Sequence, residues 1–352
     1  MAWNGVLGHD NIVHQFLAAL QNGRLASTYL FLGPSGIGKR LFARTLAQAL
    51  FCEQSSPAEL NPCNQCPACQ QVRAGSHPDL IQVSLEDGKS AVSIAQIAGD
   101  DEHRGSQGLC YELHLKPFSA SRRVAIIDDA DYLSIEAANA MLKTIEEPPP
   151  GALIILIGTS RQRQFPTVLS RSQVINFLPL EVDQLVEILS SGLIEDPQQA
   201  ETLASLAGGS VERALTVSDE SFLETRRDFY STLSQLNFDL PSFCKSLDDH
   251  VKNSGKAASD HRNTLRGLID LALLFYHQLQ LKLIGTEIQG DNTMLSNVEQ
   301  LASNWQHDVD SVALCINRCF DAYEQVERNA NRTTLIYDWI DQIRQVHLTG
   351  RL

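Results

Sequence analysis

Apolar residues first recur along the chain with a helical period. In residues 11–22, NIVHQFLAALQN, the side chains of Ile12, Phe16, Ala19 and Leu20 share one face, and Gly23 ends the segment. A strand-like run, TYLFLG, leads into a glycine-rich turn, after which IGKRLFARTLAQALF regains a helical period through Leu41, Thr45 and Ala49 or Leu50. DLIQVSL, RRVAIIDDA and GALIILIGTS have the continuous hydrophobicity of buried strands and are separated by helical stretches. Strands alternating with helices predict an α/β fold, with a parallel sheet covered on both faces. From about Pro179 onward the strand-like runs stop, and breaks at EDPQQ, LAGGS, NFDLPS and IGTEIQGDN divide the remainder into roughly seven amphipathic helices. No internal repeat or low-complexity segment is evident.

A length of 352 residues predicts two or three domains. The hydrophobic content of 43% is that of a globular chain, and no run approaches the roughly 18 apolar residues of a membrane span. The start, MAWNGVLGHD, has no basic segment followed by an apolar one, so the expectation is a cytoplasmic protein without a secretory signal. Charge changes the picture more. Residues 1–180 carry 14 basic and 16 acidic side chains, and residues 181–352 carry 14 and 26, so the second half holds nearly all of the net −14. A protein that held DNA alone would be expected to present a basic surface. Any DNA contact is therefore predicted to be local or made through partners.

Candidate chemistry lies in two places. Cys52, Cys63, Cys66 and Cys69 form a C-x10-C-x2-C-x2-C pattern. In a reducing compartment such a set predicts a structural tetrahedral zinc site, closed to water, in preference to disulfides; incidental thiols are the alternative. Cys110, Cys244, Cys315 and Cys319 are expected to be small buried hydrophobes. The second place is GPSGIGKR, which has the strand, glycine loop and helix order of a phosphate-binding loop. Gly33, Gly36 and Gly38 free the backbone amides to surround phosphates, and Lys39 adds a point charge. Arg40, however, stands where the motif has the Ser or Thr that ligates magnesium. In VAIIDDAD, Asp128 would orient that magnesium, and Asp129 holds the position of a water-polarising glutamate with one methylene fewer. Two readings follow: a site that holds nucleotide but hydrolyses it poorly or not at all, or a glycine turn without ligand in which Arg40 takes the metal's place.

These residues, together with GSHPDL, LKPFSASRRVAIIDDADYLSIEAANAMLKTIEEPPPGALIILIGTS, PTVLSRSQ and AGGSVERAL, resemble the clamp-loader ATPases of bacterial DNA polymerase III, which are AAA+ proteins. The likeness runs nearly continuously over residues 1 to about 220; the helical remainder is similar mainly in length and in ERNANRTTLIYDWI near the end. It implies a phosphate-loop α/β domain over 1–178 with a zinc knuckle inserted at about 52–69, a helical lid over 179–220 and a helical collar for oligomerisation over 221–352. Within the family, motor subunits carry an intact loop, whereas the delta-prime type often has a degraded one, as Arg40 and Asp129 suggest here.

The family's Ser-Arg-Cys motif falls on Ser170, Arg171 and Ser172. The resemblance implies that Arg171 acts in trans on ATP held by a neighbouring motor subunit; a surface arginine is the plain alternative. Thr159 or Ser160 matches the polar sensor of the γ-phosphate, or simply caps a strand. Arg213 matches the sensor arginine of the lid, or pairs with an acidic neighbour such as Glu212 or Asp219. The implied partners are delta and gamma/tau subunits in a hetero-pentameric ring, with the sliding clamp and primed DNA reached through the complex and no membrane. The implied function is that of a stator without hydrolysis of its own. Two rivals are an ATP-hydrolysing motor subunit of the same machine and a stand-alone zinc-containing nucleic-acid-binding module on a relic ATPase fold. His77 and the aromatic residues Trp305, Tyr323 and Trp339 are expected to be structural, and the polar stretch at about 98–113 is expected to be a surface loop.

Overall fold

The structure, a computed structural model, describes residues 3–86, 89–218, 220–255, 258–288, 290–327 and 330–351. The first half runs α1 (Asp10–Gln21), β1 (Thr28–Leu32), α2 (Lys39–Phe51), α3 (Pro67–Ala74), β2 (Leu80–Val83), α4 (Ile94–Ala98), α5 (Leu109–His114), β3 (Val124–Ile127), α6 (Ile135–Glu146), β4 (Leu153–Gly158), α7 (Pro166–Leu169) and β5 (Gln173–Asn176). The second half is helical: α8 (Val182–Ser190), α9 (Pro197–Leu206), α10 (Val211–Ser218), α11 (Glu220–Leu233), α12 (Leu240–Asn253), α13 (Ala258–Leu283), α14 (Asn292–Asn304), α15 (Val309–Glu327) and α16 (Arg332–Thr349). Two compact units result, one of residues 1–197 with 208–212 and one of residues 198–207 with 213–352. No described helix is long and apolar enough to cross a membrane.

The five strands of the first unit form one parallel sheet in the order β2-β3-β4-β1-β5. Because side chains alternate along a strand, Tyr29 and Phe31 of β1 join one core with Ile155 and Ile157 of β4, while Leu30 and Leu32 join the other with Ile154 and Leu156. The first core is closed by α1, α2 and α3, the second by α4, α5 and α6. This three-layer arrangement, with a glycine loop leaving β1, is the α/β fold expected, a parallel sheet covered on both faces.

Three local expectations are corrected. Leu41 does not face the core of α2 but is 48% exposed; Phe42, one residue on, is fully buried in a ring cluster with Trp3, Phe16, Phe31 and Phe177 at centroid distances of 4.9–5.8 Å. The large ring sets the rotation of the helix. The edge strand β5 carries only one buried residue, Ile175, and so left no apolar run to detect. Residues 97–118 are more than a loop, since α5 buries Leu109 and Leu113, one helical turn apart.

Nine helices follow residue 179 among the described residues, against roughly seven expected. Two added breaks are made by side-chain caps without glycine or proline. Asp308 Oδ1 accepts from the Ser311 amide at 3.0 Å before α15, and Asn331 Oδ1 accepts from the Thr334 amide at 3.1 Å before α16. The second unit packs α13 against α14 and α15, and α16 against α12 and α15. Its core includes Phe229, Tyr230, Phe275, Tyr276 and Trp339, with Trp305 also buried; Cys244, Cys315 and Cys319 are fully buried there. Tyr276 Oη and His347 Nε2 pair at 2.9 Å inside this core.

Candidate functional site

The glycine loop is held from both sides within the first unit. Gly33, Gly36 and Gly38 all have positive φ, at 152°, 71° and 97°. The absence of a side chain also matters sterically: a Cβ on Gly33 would lie 2.3 Å from the Phe177 carbonyl oxygen, and one on Gly36 would lie 2.4 Å from Glu212 Cβ. The Gly36 carbonyl accepts from the Val211 amide at 2.9 Å, and the Ile37 carbonyl is met by His9 Nε2 at 2.7 Å. Lys39, at the first turn of α2, is buried and donates to the Gly33 carbonyl at 2.5 Å and to that of Pro34. Burial pulls its ammonium down to about 8, against the upward pull of Asp131, Asp128 and Glu212.

Arg40 decides the electrostatics. Its Nε lies 3.4 Å from Asp128 Oδ2, so the carboxylate at the end of β3 already faces a guanidinium. Burial and the neighbouring Asp129 charge push the Asp128 carboxyl upward, with Arg40 and Lys39 opposing them. Asp129 takes a left-handed conformation, φ 56°, and its Oδ2 accepts from the Leu85 amide at 3.3 Å. A divalent cation on Asp128 would have to displace Arg40, so the residues present do not fit magnesium at this position. The glycines and Lys39 remain suited to phosphate oxygens.

The cysteines converge. Cys52 ends α2, Cys66 caps the start of α3, and the sulfurs of Cys52, Cys63, Cys66 and Cys69 all lie within 4.8 Å of one another. The Cys63 and Cys69 sulfurs are 3.9 Å apart, near the roughly 3.8 Å that tetrahedral metal–sulfur bonds of about 2.3 Å require. Backbone amides of Cys63, Cys66 and Cys69 donate to Cys52, Cys63 and Cys66 sulfurs at 3.4, 3.3 and 3.5 Å. Such donors favour thiolates over thiols. The Gln48 side chain braces the knuckle through Asn64 Oδ1 at 3.0 Å and the Cys69 carbonyl at 3.3 Å. The set can hold a metal ion.

Arg171 follows α7, and its Nε donates to Glu146 Oε1 at 2.6 Å while Nη1 meets the Thr167 carbonyl and Ser170 Oγ, both at 3.1 Å. Arg213 pairs with Asp270 of α13 within the second unit, where burial raises the Asp270 carboxyl. Of the acidic neighbours considered for it, Asp219 lies outside the described residues. His77 is buried and stacks on Phe51 at 4.3 Å, in keeping with a structural role.

Residues 8–181 match the family model described as DNA polymerase III, delta subunit. The Pseudomonas aeruginosa DNA polymerase III subunit delta' is 32% identical over 213 residues, which is 60% of this chain and 61% of that protein. Residues 8–181 are thus similar to DNA polymerase III subunits of the clamp-loader type. The Bacillus subtilis DNA polymerase III subunit tau is also 32% identical, over 223 residues, which is 61% of this chain and 37% of that protein. This chain spans about three fifths of the delta' relative and little more than a third of the tau relative, and identity does not choose between the two. A solved gamma-subunit-related protein from Thermotoga maritima aligns at 15% identity over 95% of this chain and 98% of that one, with a TM-score of 0.42.

One member of the site was not read from the sequence. Asp131, just past Asp129, has a side chain only 2% exposed and accepts from the Thr159 amide at 2.9 Å, from Thr159 Oγ1 at 2.5 Å and from Gln164 Nε2. Burial raises its carboxyl, and the Thr159 bonds and Arg163, at 3.9 Å, oppose the rise. The third acid of DDAD was the available signal. The structure brings Lys39, Arg40, Asp128 and Asp131 into one electrostatic group, with Thr159 tied to it through Asp131. Arg171 and Arg213 are engaged elsewhere, with Glu146 and Asp270.

Proposed function

We infer that this chain is a clamp-loader subunit of DNA polymerase III that hydrolyses no ATP itself and supplies Arg171 in trans to a neighbouring ATPase subunit, as a delta-prime-type stator. The observation that carries the reading is the Arg40–Asp128 pair at 3.4 Å, which puts a fixed cation where catalysis needs an exchangeable one. Asp129 supports it, because its carboxylate is turned onto the Leu85 amide. Phosphate oxygens of a nucleotide would meet Gly36, Gly38 and Lys39, with binding and no turnover as the result. Arg171 has a side chain 36% exposed and so open to a phosphoryl group next door, where a guanidinium contributes about a thousandfold or more in rate.

Zinc is the metal assigned to Cys52, Cys63, Cys66 and Cys69, where it would fasten α3 to the end of α2 and supply no chemistry. The proposed division is an α/β domain over 1–178, a lid over 179–220 and a collar over 221–352. The proposed partners are delta and gamma/tau subunits, with the sliding clamp and primed DNA bound by the whole complex. The acidity of the second half favours protein over DNA as its contact.

The equal identity to a tau relative favours one second reading, a working motor subunit. Steady-state ATPase of the reconstituted complex with clamp and primed DNA separates them. Activity lost with Arg171→Ala and retained with Lys39→Ala supports the stator; the reverse pattern supports the motor.

A further inference from the structure

An arginine that acts across a subunit boundary works only if its planar guanidinium arrives in a fixed orientation, because a misplacement of about 1 Å can cost on the order of a hundredfold in rate. Arg171 has such a fixture. Glu146 is the last residue of α6, whose inner face is buried through Ala137, Ala138, Met141 and Ile145, so its backbone stands on a rigid element. Its Oε1 accepts from Arg171 Nε at 2.6 Å, and the Thr167 carbonyl and Ser170 Oγ take up Nη1 at 3.1 Å each. Acceptors on two edges fix the guanidinium plane. Nη2 has no partner among the described residues, and the side chain is 36% exposed.

We propose that Glu146 is a positioning residue for Arg171: by holding Nε it aims the Nη2 edge at the phosphoryl group of the neighbouring subunit's nucleotide. The inference rests on the trans role of Arg171 proposed above. The pair is too exposed, at 36% and 46% for the two side chains, to add much stability, so its consequence is geometric. Glu147, next in the chain, is exposed and has no such bond among the described residues, which makes it an internal control.

The test is the ATPase of the reconstituted complex with clamp and primed DNA, with kcat and KM for ATP measured separately and assembly checked by sedimentation. Glu146→Ala is expected to lower kcat by about tenfold to a hundredfold with KM unchanged. Glu146→Gln, whose amide oxygen still accepts from Nε, is expected to stay within about threefold of wild type, and Glu147→Ala to match it. If Arg171→Ala abolishes activity while Glu146→Ala keeps at least half of it, the positioning role is overturned and the trans role stands. A Glu146→Gln variant as slow as Glu146→Ala also overturns it. If Arg171→Ala itself has no effect, the trans role fails and the inference falls with it.

Discussion

Asp79 offers the sharpest test of how the α/β unit is held together. It precedes β2, its side chain is fully buried, and it organises the turn that leads into β3. Oδ1 accepts from the Phe118 amide at 2.6 Å, and Oδ2 accepts from the amides of Ser119 and Ala120 at 2.8 and 2.9 Å and from Ser119 Oγ at 3.2 Å. Arg123, also nearly buried, stands 3.7 Å away. Asp79→Asn keeps one acceptor and turns an NH2 group onto backbone donors, whichever way the amide is placed. One or two charge-assisted bonds at about 1.5–3 kcal/mol each are lost and Arg123 loses its countercharge, for a total of about 3–5 kcal/mol. For a unit of this size that is a fall of roughly 10 °C in melting temperature, readable by calorimetry at pH 7.

The pH dependence of that gap gives an independent check. Burial would raise the Asp79 carboxyl, but the three amides and the Ser119 hydroxyl outweigh it and hold the group below its ordinary 3.8. A depressed acid contributes stability that is complete above the unfolded value and is lost as pH falls through the folded one. The gap between wild type and Asp79→Asn should therefore be full at neutral pH and shrink below 3.8. A variant melting within about 2 °C of wild type at pH 7, or a gap that does not narrow in acid, would mean that Asp79 does not hold this turn as an ionised acceptor.

Three further outcomes are expected. Cys66→Ser should reduce bound zinc from one per chain to under about a tenth, by plasma emission, and open residues 52–75 to limited proteolysis, because a structural site loses its ion when one of its ligands goes. Arg40→Thr should free Asp128 for a cation, so that a fluorescent ATP analogue binds about tenfold more tightly with magnesium than with EDTA, whereas wild type changes by less than about threefold. Burial lowers His347 from 6.5 to about 4, so the unfolded chain takes up the proton first as pH falls. The helical unit should then lose about 3 kcal/mol between pH 7 and 4, seen as a falling urea midpoint; a flat profile counts against a neutral, buried His347.

Whatever depends on local pattern was legible in the order of residues alone. The apolar runs of β1, β3 and β4 announced buried parallel strands, because a strand covered on both faces has no polar side to show, whereas β2, at the sheet edge, exposes Gln82. The cysteine spacing announced a metal-type knuckle, because the sulfurs close in space are nearly all close in sequence. Arg40 was legible as a departure from the motif for the same reason.

Tertiary structure decided what depends on partners far along the chain. No local pattern says that Arg40 meets Asp128, that Asp131 takes up Thr159, or that Arg213 turns to Asp270. Leu41 and Phe42 are neighbours of equal apolar character, and only the ring cluster contributed by Trp3, Phe16, Phe31 and Phe177 chose which one faces inward. Glu146 is one of two adjacent glutamates, and what distinguishes it is the direction in which the end of α6 points it, toward Arg171 from a position 25 residues earlier in the chain. Charge pairs and core orientation are long-range in sequence because they are short-range in space.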